Sequence, residues 1–144
     1  MTVTAWLLPF RRMDDSGTGR STISLICVVD DDESIRDALG SLIRSVGYEC
    51  AVFPSAKAFL DSGRLAETDC LVLDVHMAGL SGPELQLTLR EMNYGFPIIF
   101  LSARMDDELR AKVLELGAAA ALDKPFSHRD LLDAIRSALD PGSR

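Results

Sequence analysis

The sequence has little positive charge, and this shortage excludes one class of partner. Lys and Arg number 15 against 22 Asp and Glu, so the formal net charge is -7. Phosphate contacts need a basic face, which this balance does not provide. We therefore expect no direct binding to nucleic acid.

Cysteine is also scarce, with only Cys27, Cys50 and Cys70 present. The number is odd, the contexts are apolar and strand-like, and no CxxC or metal-ligand spacing occurs, so we expect buried thiols that form no disulfide. Such thiols are typical of a reducing compartment, which predicts a cytoplasmic protein.

No apolar run is long enough to cross a membrane. The N-terminal run at residues 5–10 is short, contains Pro9 and has no basic residue before it, so neither a transmembrane helix nor a signal peptide fits. We expect residues 1–22 to be a mobile N-terminal extension and residues 141–144 a C-terminal tail. Residues 23–140 would form a single folded domain.

What the sequence does contain is a fivefold alternation of strand-like and helical patterns. Apolar strand-like runs occur at residues 23–29, 48–53, 70–74, 97–101 and 118–123, and a pattern with helical spacing follows each run. Short strand–helix repeats of this kind imply right-handed crossovers and a parallel sheet with helices on both faces. The predicted fold class is therefore α/β, a doubly wound sheet.

Polar residues that could take part in binding or catalysis lie at the ends of four of these strands. Asp30 and Asp31 come after the first, Asp74 ends the third, Ser102 follows the fourth and Lys124 follows the fifth. The carboxyl ends of parallel strands lie at one edge of the sheet, where ligands bind. Each residue alone has an ordinary structural explanation, but their joint placement favours a site.

The residue types suggest phosphoryl chemistry. Converging carboxylates repel one another and raise one another's pKa unless a cation neutralises them, and oxygen ligands favour a hard ion such as Mg²⁺. A carboxylate can attack phosphorus to give an acyl phosphate, while a lysine and a hydroxyl contact the phosphoryl oxygens. The pattern predicts Asp74 as the nucleophile, with Lys124 and Ser102 beside it.

Four segments resemble the receiver domains of two-component response regulators. They are VVDDDES at 28–34, LDVHMAGLSGPEL at 73–85, FLSAR at 100–104 and GAAAALDKPF at 117–126. The resemblance covers about residues 24–139 and is closest to FixJ-type receivers, which precede helix-turn-helix output domains. It implies a flavodoxin-like sheet of five parallel strands in the order 2-1-3-4-5, with five helices.

The resemblance also implies a role for each site residue. The Mg²⁺ ligands would be oxygen atoms of Asp30, Asp31, Asp74 and the backbone carbonyl of His76. Asp74 would be the phosphorylated residue, with Lys124 and Ser102 contacting the phosphoryl group. The Lys124–Pro125 peptide bond would be cis.

The implied partners are a sensor histidine kinase or a histidine phosphotransfer protein, and a downstream output protein. The chain would promote only its own phosphorylation and dephosphorylation, so it would not be an enzyme with a separate substrate. A homodimer stays open, as does the choice between a stand-alone receiver and a fragment of a longer regulator.

Several positions depart from the family's pattern or lie where it varies. Ala78 stands in the usual place of Pro, and Ala121 in that of the switch aromatic residue. His76 and Arg104 lie where the family varies its dephosphorylation rate. Because Ala121 has no rotamer to change, we expect phosphorylation to act on the surface through the loop at 102–107 and the fourth helix.

Two other readings remain at this point. A haloacid-dehalogenase-type aspartyl phosphatase also uses a strand-end Asp and Mg²⁺, but it needs an acid two residues later, where this chain has His76. A degenerate receiver would act only as a binding module, and the intact carboxylates, hydroxyl and lysine argue against it.

Overall fold

A computed structural model describes residues 23–140, so the predicted extension at 1–22 and tail at 141–144 lie outside the described residues. The strands β1 to β5 are Leu25–Val29, Glu49–Phe53, Cys70–Asp74, Ile98–Ser102 and Ala120–Asp123. The helices α1 to α5 are Glu33–Ser45, Ala56–Leu60, Gly82–Glu91, Asp107–Glu115 and His128–Leu139. A 3-10 turn at Leu65–Glu67, which the sequence did not predict, precedes β3.

All strands pair in parallel, in the order β2-β1-β3-β4-β5. The predicted order is confirmed. Because successive side chains in a strand point to opposite faces, the sheet separates two apolar clusters. Helices α2, α3 and α4 contribute Phe59, Leu85 and Val113 to one cluster. Helices α1 and α5 contribute Ile43 and Ile135 to the other.

Side-chain caps fix where the helices begin, close to the ends of the strands. The capping residue accepts a hydrogen bond from a backbone N–H of the first turn in each of α1 to α5, and these residues are Asp32, Ser55, Ser81, Asp106 and Ser127. At the N-terminus of α3 the Glu84 side chain also accepts from the Ser81 N–H, which completes a capping box. Each helix therefore begins at a defined residue of the chain that follows its strand.

The boundaries of four strands differ from the predicted ones by one or two residues, while β3 is as predicted. Strand β1 begins at Leu25 and not at residue 23, because Leu25 is the first residue that pairs with β2, and Ile23 is largely exposed. Strand β4 is shifted by one residue and includes Ser102. The shift matters for the site, because it makes Ser102 a buried strand residue.

The cysteines differ in burial. Cys27 and Cys70 are buried, but Cys50 is only half-buried, so the prediction of burial is wrong for Cys50. The reason is that β2 lies at the edge of the sheet. None of the three forms a disulfide within the described residues, and burial raises the pKa of Cys50 to about 11. Among residues 23–140, no helix has the length and apolar character needed to span a bilayer.

Candidate functional site

The carboxyl edge of the sheet brings the predicted site residues to one region. Asp30 directly follows β1, Asp74 is the last residue of β3, Ser102 is the last residue of β4, and Lys124 directly follows β5. The central strands β1, β3 and β4 are buried along their whole length. The edge is therefore a rigid frame for the side chains that end these strands.

Three carboxylates form the centre of the site. One oxygen atom from each of Asp30, Asp31 and Asp74 lies within 4.8 Å of the others. Asp30 is fully buried, Asp74 is 5% exposed, and Asp31 is exposed. The Asp32 N–H donates to Asp30 Oδ1 at 2.9 Å, which orients the Asp30 carboxylate. The cluster thus has two fixed inner acids and one acid at its solvent side.

Lys124 is the cation of the site. Its Nζ lies 2.8 Å from Asp30 Oδ2 and 3.5 Å from Asp74 Oδ1. Burial lowers the pKa of Lys124, but the hydrogen bond to Asp30 and the charge of Asp74 outweigh it, so the pKa is raised overall. Lys124 therefore stays protonated and offers a point charge beside both buried acids. The Lys124–Pro125 peptide bond is cis, as the resemblance implied.

Asp74 is in an unfavourable place for a charge. Burial raises its pKa above the usual value of 3.8 and the Asp30 carboxylate raises it further, while Lys124 opposes both effects. The His76 N–H donates to Asp74 Oδ1 at 3.4 Å, so both polar contacts fall on one oxygen. Within residues 23–140, Asp74 Oδ2 receives no hydrogen bond. Asp74 Oδ2 is thus the oxygen of this carboxylate that these two contacts leave unengaged.

The raised pKa of Asp74 gives a prediction about stability. The folded state binds this proton more tightly than the unfolded chain, so stability falls as the pH rises from 3.8 through the raised folded pKa. At neutral pH in EDTA, we expect Asp74→Asn to melt above the wild type. The difference should shrink as the pH is lowered through that window, because the wild type then becomes neutral too. Thermal melts at several pH values test this, and a variant that melts below the wild type at neutral pH would contradict the direction.

Ser102 is fully buried at the end of β4. In the sheet register its neighbour Leu101 pairs with Asp74, so Ser102 lies one residue beyond the level of Asp74. The Ser102 Oγ accepts a hydrogen bond from the Arg104 N–H at 2.9 Å. Since the oxygen is the acceptor there, the hydroxyl hydrogen remains available to donate.

The donor set fits a hard divalent cation. All the ligand atoms are oxygen, and the Asp30 carboxylate adds to burial in raising the pKa of Asp74. Asp30, Asp31 and Asp74 are the residues that would hold such an ion. His76 lies beside them through its main chain, and the role of its carbonyl stays a prediction.

Gly82 is a site residue that the sequence reasoning missed. A Cβ at Gly82 would lie 2.7 Å from the Asp74 carbonyl oxygen and 3.0 Å from both Phe100 Cε1 and Val75 Cα. Gly82 also donates its N–H to the Val75 carbonyl at 3.1 Å. The first turn of α3 therefore packs directly on the backbone of Asp74. The signal in the sequence is a glycine beside Pro83 at a helix start, where a glycine is also an ordinary turn residue.

Arg36 was missed as well. Its Nη1 donates to the Asp30 carbonyl at 2.8 Å, so a side chain of α1 holds the main chain of the loop between β1 and α1. An arginine one turn into a helix that follows DDDE is a readable signal, because its side chain can reach back to the preceding loop.

A comparison with protein families finds one match over most of the chain. The family described as the response regulator receiver domain matches residues 26–136. This span includes every residue of the site described above.

Curated relatives and solved structures agree with that match. The response regulator protein TmoT of Ectopseudomonas mendocina is 46% identical over 117 residues, which are 81% of this chain and 53% of TmoT. The transcriptional regulatory protein TdiR of Thauera aromatica is 42% identical over 127 residues, 88% of this chain and 55% of TdiR. The chain thus spans about half the length of these relatives. The structure of the Vibrio cholerae chemotaxis protein CheY4 superimposes with a TM-score of 0.76 at 26% identity, covering 82% of this chain and all of CheY4.

Proposed function

The chain belongs to the response regulator receiver domain family, and from that premise we propose that Asp74 accepts a phosphoryl group from a phosphohistidine. Receiver domains of this family act in two-component systems and are generally not classical enzymes. The phosphatase and the degenerate-receiver readings are not favoured by this membership. We infer that the chain promotes only the phosphorylation and dephosphorylation of its own Asp74.

One observation carries the proposal. Asp74 has a buried carboxylate, and its neighbours are two further carboxylates and the Lys124 ammonium. A single buried acid of this kind would be costly, and a structural ion pair would need only one acid for the lysine. Three acids around one lysine leave negative charge uncompensated, which suits a site that recruits a cation and then a phosphoryl group.

The residues can share the transfer step as follows. The Asp74 Oδ2 atom forms a bond to phosphorus while the P–N bond of the phosphohistidine breaks. The electron pair of the P–N bond goes to the imidazole nitrogen, which takes up a proton. Negative charge develops on the equatorial phosphoryl oxygens. The Lys124 ammonium and the Ser102 hydroxyl hydrogen are placed to stabilise that charge, and burial strengthens both interactions.

Receiver domains bind Mg²⁺ at an acidic pocket, and we propose that Asp30, Asp31 and Asp74 hold the ion in this chain, with the His76 carbonyl as a fourth protein ligand. When bound, the ion supplies positive charge for the phosphoryl oxygens and lowers the repulsion among the carboxylates. Without it, Lys124 is the cation that offsets this repulsion at the two inner acids.

We propose the following partners. The phosphoryl donor would be a sensor histidine kinase or a histidine phosphotransfer protein, and a downstream output protein would read the phosphorylated state. Relatives named as transcriptional regulatory proteins support an output in gene regulation, although the net charge of -7 argues against contact between this chain and DNA. The cysteines, which form no disulfide in the described region, support a cytoplasmic location.

The direct test is incubation with acetyl phosphate and Mg²⁺, followed by intact mass. We expect one phosphoryl adduct, which peptide mapping places at Asp74. The adduct should not form in control reactions that contain EDTA. An unmodified chain under conditions that phosphorylate an established receiver would overturn the proposal and favour the degenerate receiver.

A second test concerns the metal. We expect Asp31→Asn to weaken Mg²⁺ binding by roughly tenfold or more, because one of three ligand charges is lost. Asp31 is the exposed acid of the three, so the fold should survive the change. Calorimetry measures the affinity, and Asp37→Asn, which removes an exposed acid from α1, is the matched control. Equal affinity in Asp31→Asn and Asp37→Asn would remove Asp31 from the ligand set.

A further inference from the structure

Asp123, the last residue of β5, accepts a hydrogen bond from the loop that follows β4. Its Oδ1 receives the Met105 N–H at 3.0 Å. The Met105 side chain is 5% exposed and packs in the same apolar cluster as Phe100 and Val113. The loop is therefore held at one residue by two different contacts, a side chain in the core and a main-chain N–H on a carboxylate.

Together with two main-chain donors, this contact closes a ring around Ser102. The Lys124 N–H donates to the Ser102 carbonyl at 2.8 Å, and the Arg104 N–H donates to the Ser102 Oγ at 2.9 Å. The bond from Met105 to Asp123 completes the path from the loop back to β5. Ser102 is thus held at its main chain and at its hydroxyl. Lys124 directly follows Asp123, so the same ring also includes the main chain of the lysine.

We propose that Asp123 is a positioning residue for the phosphoryl site, which keeps the Ser102 hydroxyl and the Lys124 ammonium at fixed places relative to Asp74. The inference rests on the proposed function of Asp74. Asp123 acts through the ring and does not touch the phosphoryl group.

The physical reason lies in the Met105 N–H. The Met105 N–H ties the loop to the last residue of β5, so loss of the Asp123 carboxylate exchanges this bond for one to water or to another acceptor and frees the loop to move. Arg104 is the preceding residue and moves with the loop. Its N–H then leaves the Ser102 Oγ, and the hydroxyl loses the contact that fixes its rotamer.

The second oxygen of Asp123 contacts helix α4. Asp123 Oδ2 lies 3.5 Å from Arg110 Nη2, and Arg110 also donates to the Ala121 carbonyl. Both charged groups are substantially exposed, at 55% for Asp123 and 38% for Arg110, so their ion pair contributes little. The proposal therefore makes the position of the Oδ1 acceptor decisive and the negative charge of Asp123 unimportant.

Two variants separate position from charge. Asp123→Asn keeps an acceptor in place and removes the charge, whereas Asp123→Glu keeps the charge and displaces the acceptor by one methylene. We expect Asp123→Asn to phosphorylate within about twofold of the wild-type rate. We expect Asp123→Glu to be roughly tenfold slower, because small misplacements of positioned groups cost up to about a hundredfold. Asp107→Ala, which removes an exposed acid from the first turn of α4, should match the wild type.

The rates are measured with acetyl phosphate and Mg²⁺ by intact mass, with Mg²⁺ affinity measured separately. A slower Asp123→Glu with unchanged Mg²⁺ affinity supports the proposal. Wild-type rates in Asp123→Glu, or a loss in Asp123→Asn that Asp123→Glu does not share, overturn it. If the wild type itself gains no phosphoryl group, the proposed function fails first, which is a distinct result.

Amide hydrogen exchange gives a readout without metal or phosphodonor. In the metal-free protein we expect Asp123→Ala to speed exchange at Met105 and Arg104, while Asp123→Asn leaves both close to the wild type. Unchanged exchange at Met105 in Asp123→Ala would show that the bond does not hold the loop, and would overturn the proposal independently of the rates.

Discussion

Asp74→Asn should gain no phosphoryl group from acetyl phosphate and Mg²⁺, whereas the wild type gains one. The amide has the shape of the carboxylate but no nucleophilic oxygen anion, so the expected effect is complete loss of the adduct. The fold should survive, because the Asp74 charge is itself unfavourable at its buried place. Intact mass measures the adduct, and circular dichroism with a thermal melt measures the fold.

The matched control for this variant is Asp61→Asn. It makes the same chemical change at an exposed acid whose contact is an ion pair with Lys57. We expect it to gain the phosphoryl group at the wild-type rate. Full incorporation into Asp74→Asn, with the adduct mapped to another residue, would move the nucleophile elsewhere and contradict the proposed role.

The second large effect is expected at Gly82. In Gly82→Ala the new methyl group would lie 2.7 Å from the Asp74 carbonyl oxygen, well inside contact distance, so strand β3 and helix α3 must separate. Overpacking of this kind typically costs about 1–3 kcal/mol. Since the backbone that moves belongs to Asp74, phosphorylation should slow as well. Urea unfolding and the acetyl phosphate assay measure the two effects.

Gly95→Ala is the control for Gly82→Ala. A Cβ at Gly95 would meet no atom within 4 Å, so the change should alter stability by less than about 0.5 kcal/mol and leave phosphorylation unchanged. Equal stability of the two alanine variants would show that α3 can move away from Asp74 without cost, and would contradict the expected effect of the close packing at Gly82.

The fold was predictable because its signals are local. Apolar runs such as 70–74 and capping residues such as Ser55 and Ser127 lie within a few positions of the element they define. The sheet edge at which the strands end then follows from the parallel crossovers alone. For this reason the sequence also predicts that Asp30, Asp74 and Lys124 lie close together.

What the sequence did not reveal depends on distances between elements. The contact between Gly82 and Asp74 is set by how closely α3 packs on β3, and the bond from Met105 to Asp123 is set by the path of a loop. Neither contact leaves a periodic pattern in the sequence from which it could be predicted. The half-burial of Cys50 has the same origin, because only the complete strand order places β2 at an edge.

The ion pair between Lys124 and Asp30 joins residues 94 positions apart in the chain. Every strand except β1 lies between these two positions, so the pocket exists only when β1, β3 and β5 are all in the sheet. A chain that is still being synthesised, or one that has locally unfolded at β5, has Asp74 but lacks the cation beside it. On the proposed role of Asp74, phosphorylation therefore requires the whole sheet, and chains that lack a folded β5 should gain no phosphoryl group from acetyl phosphate.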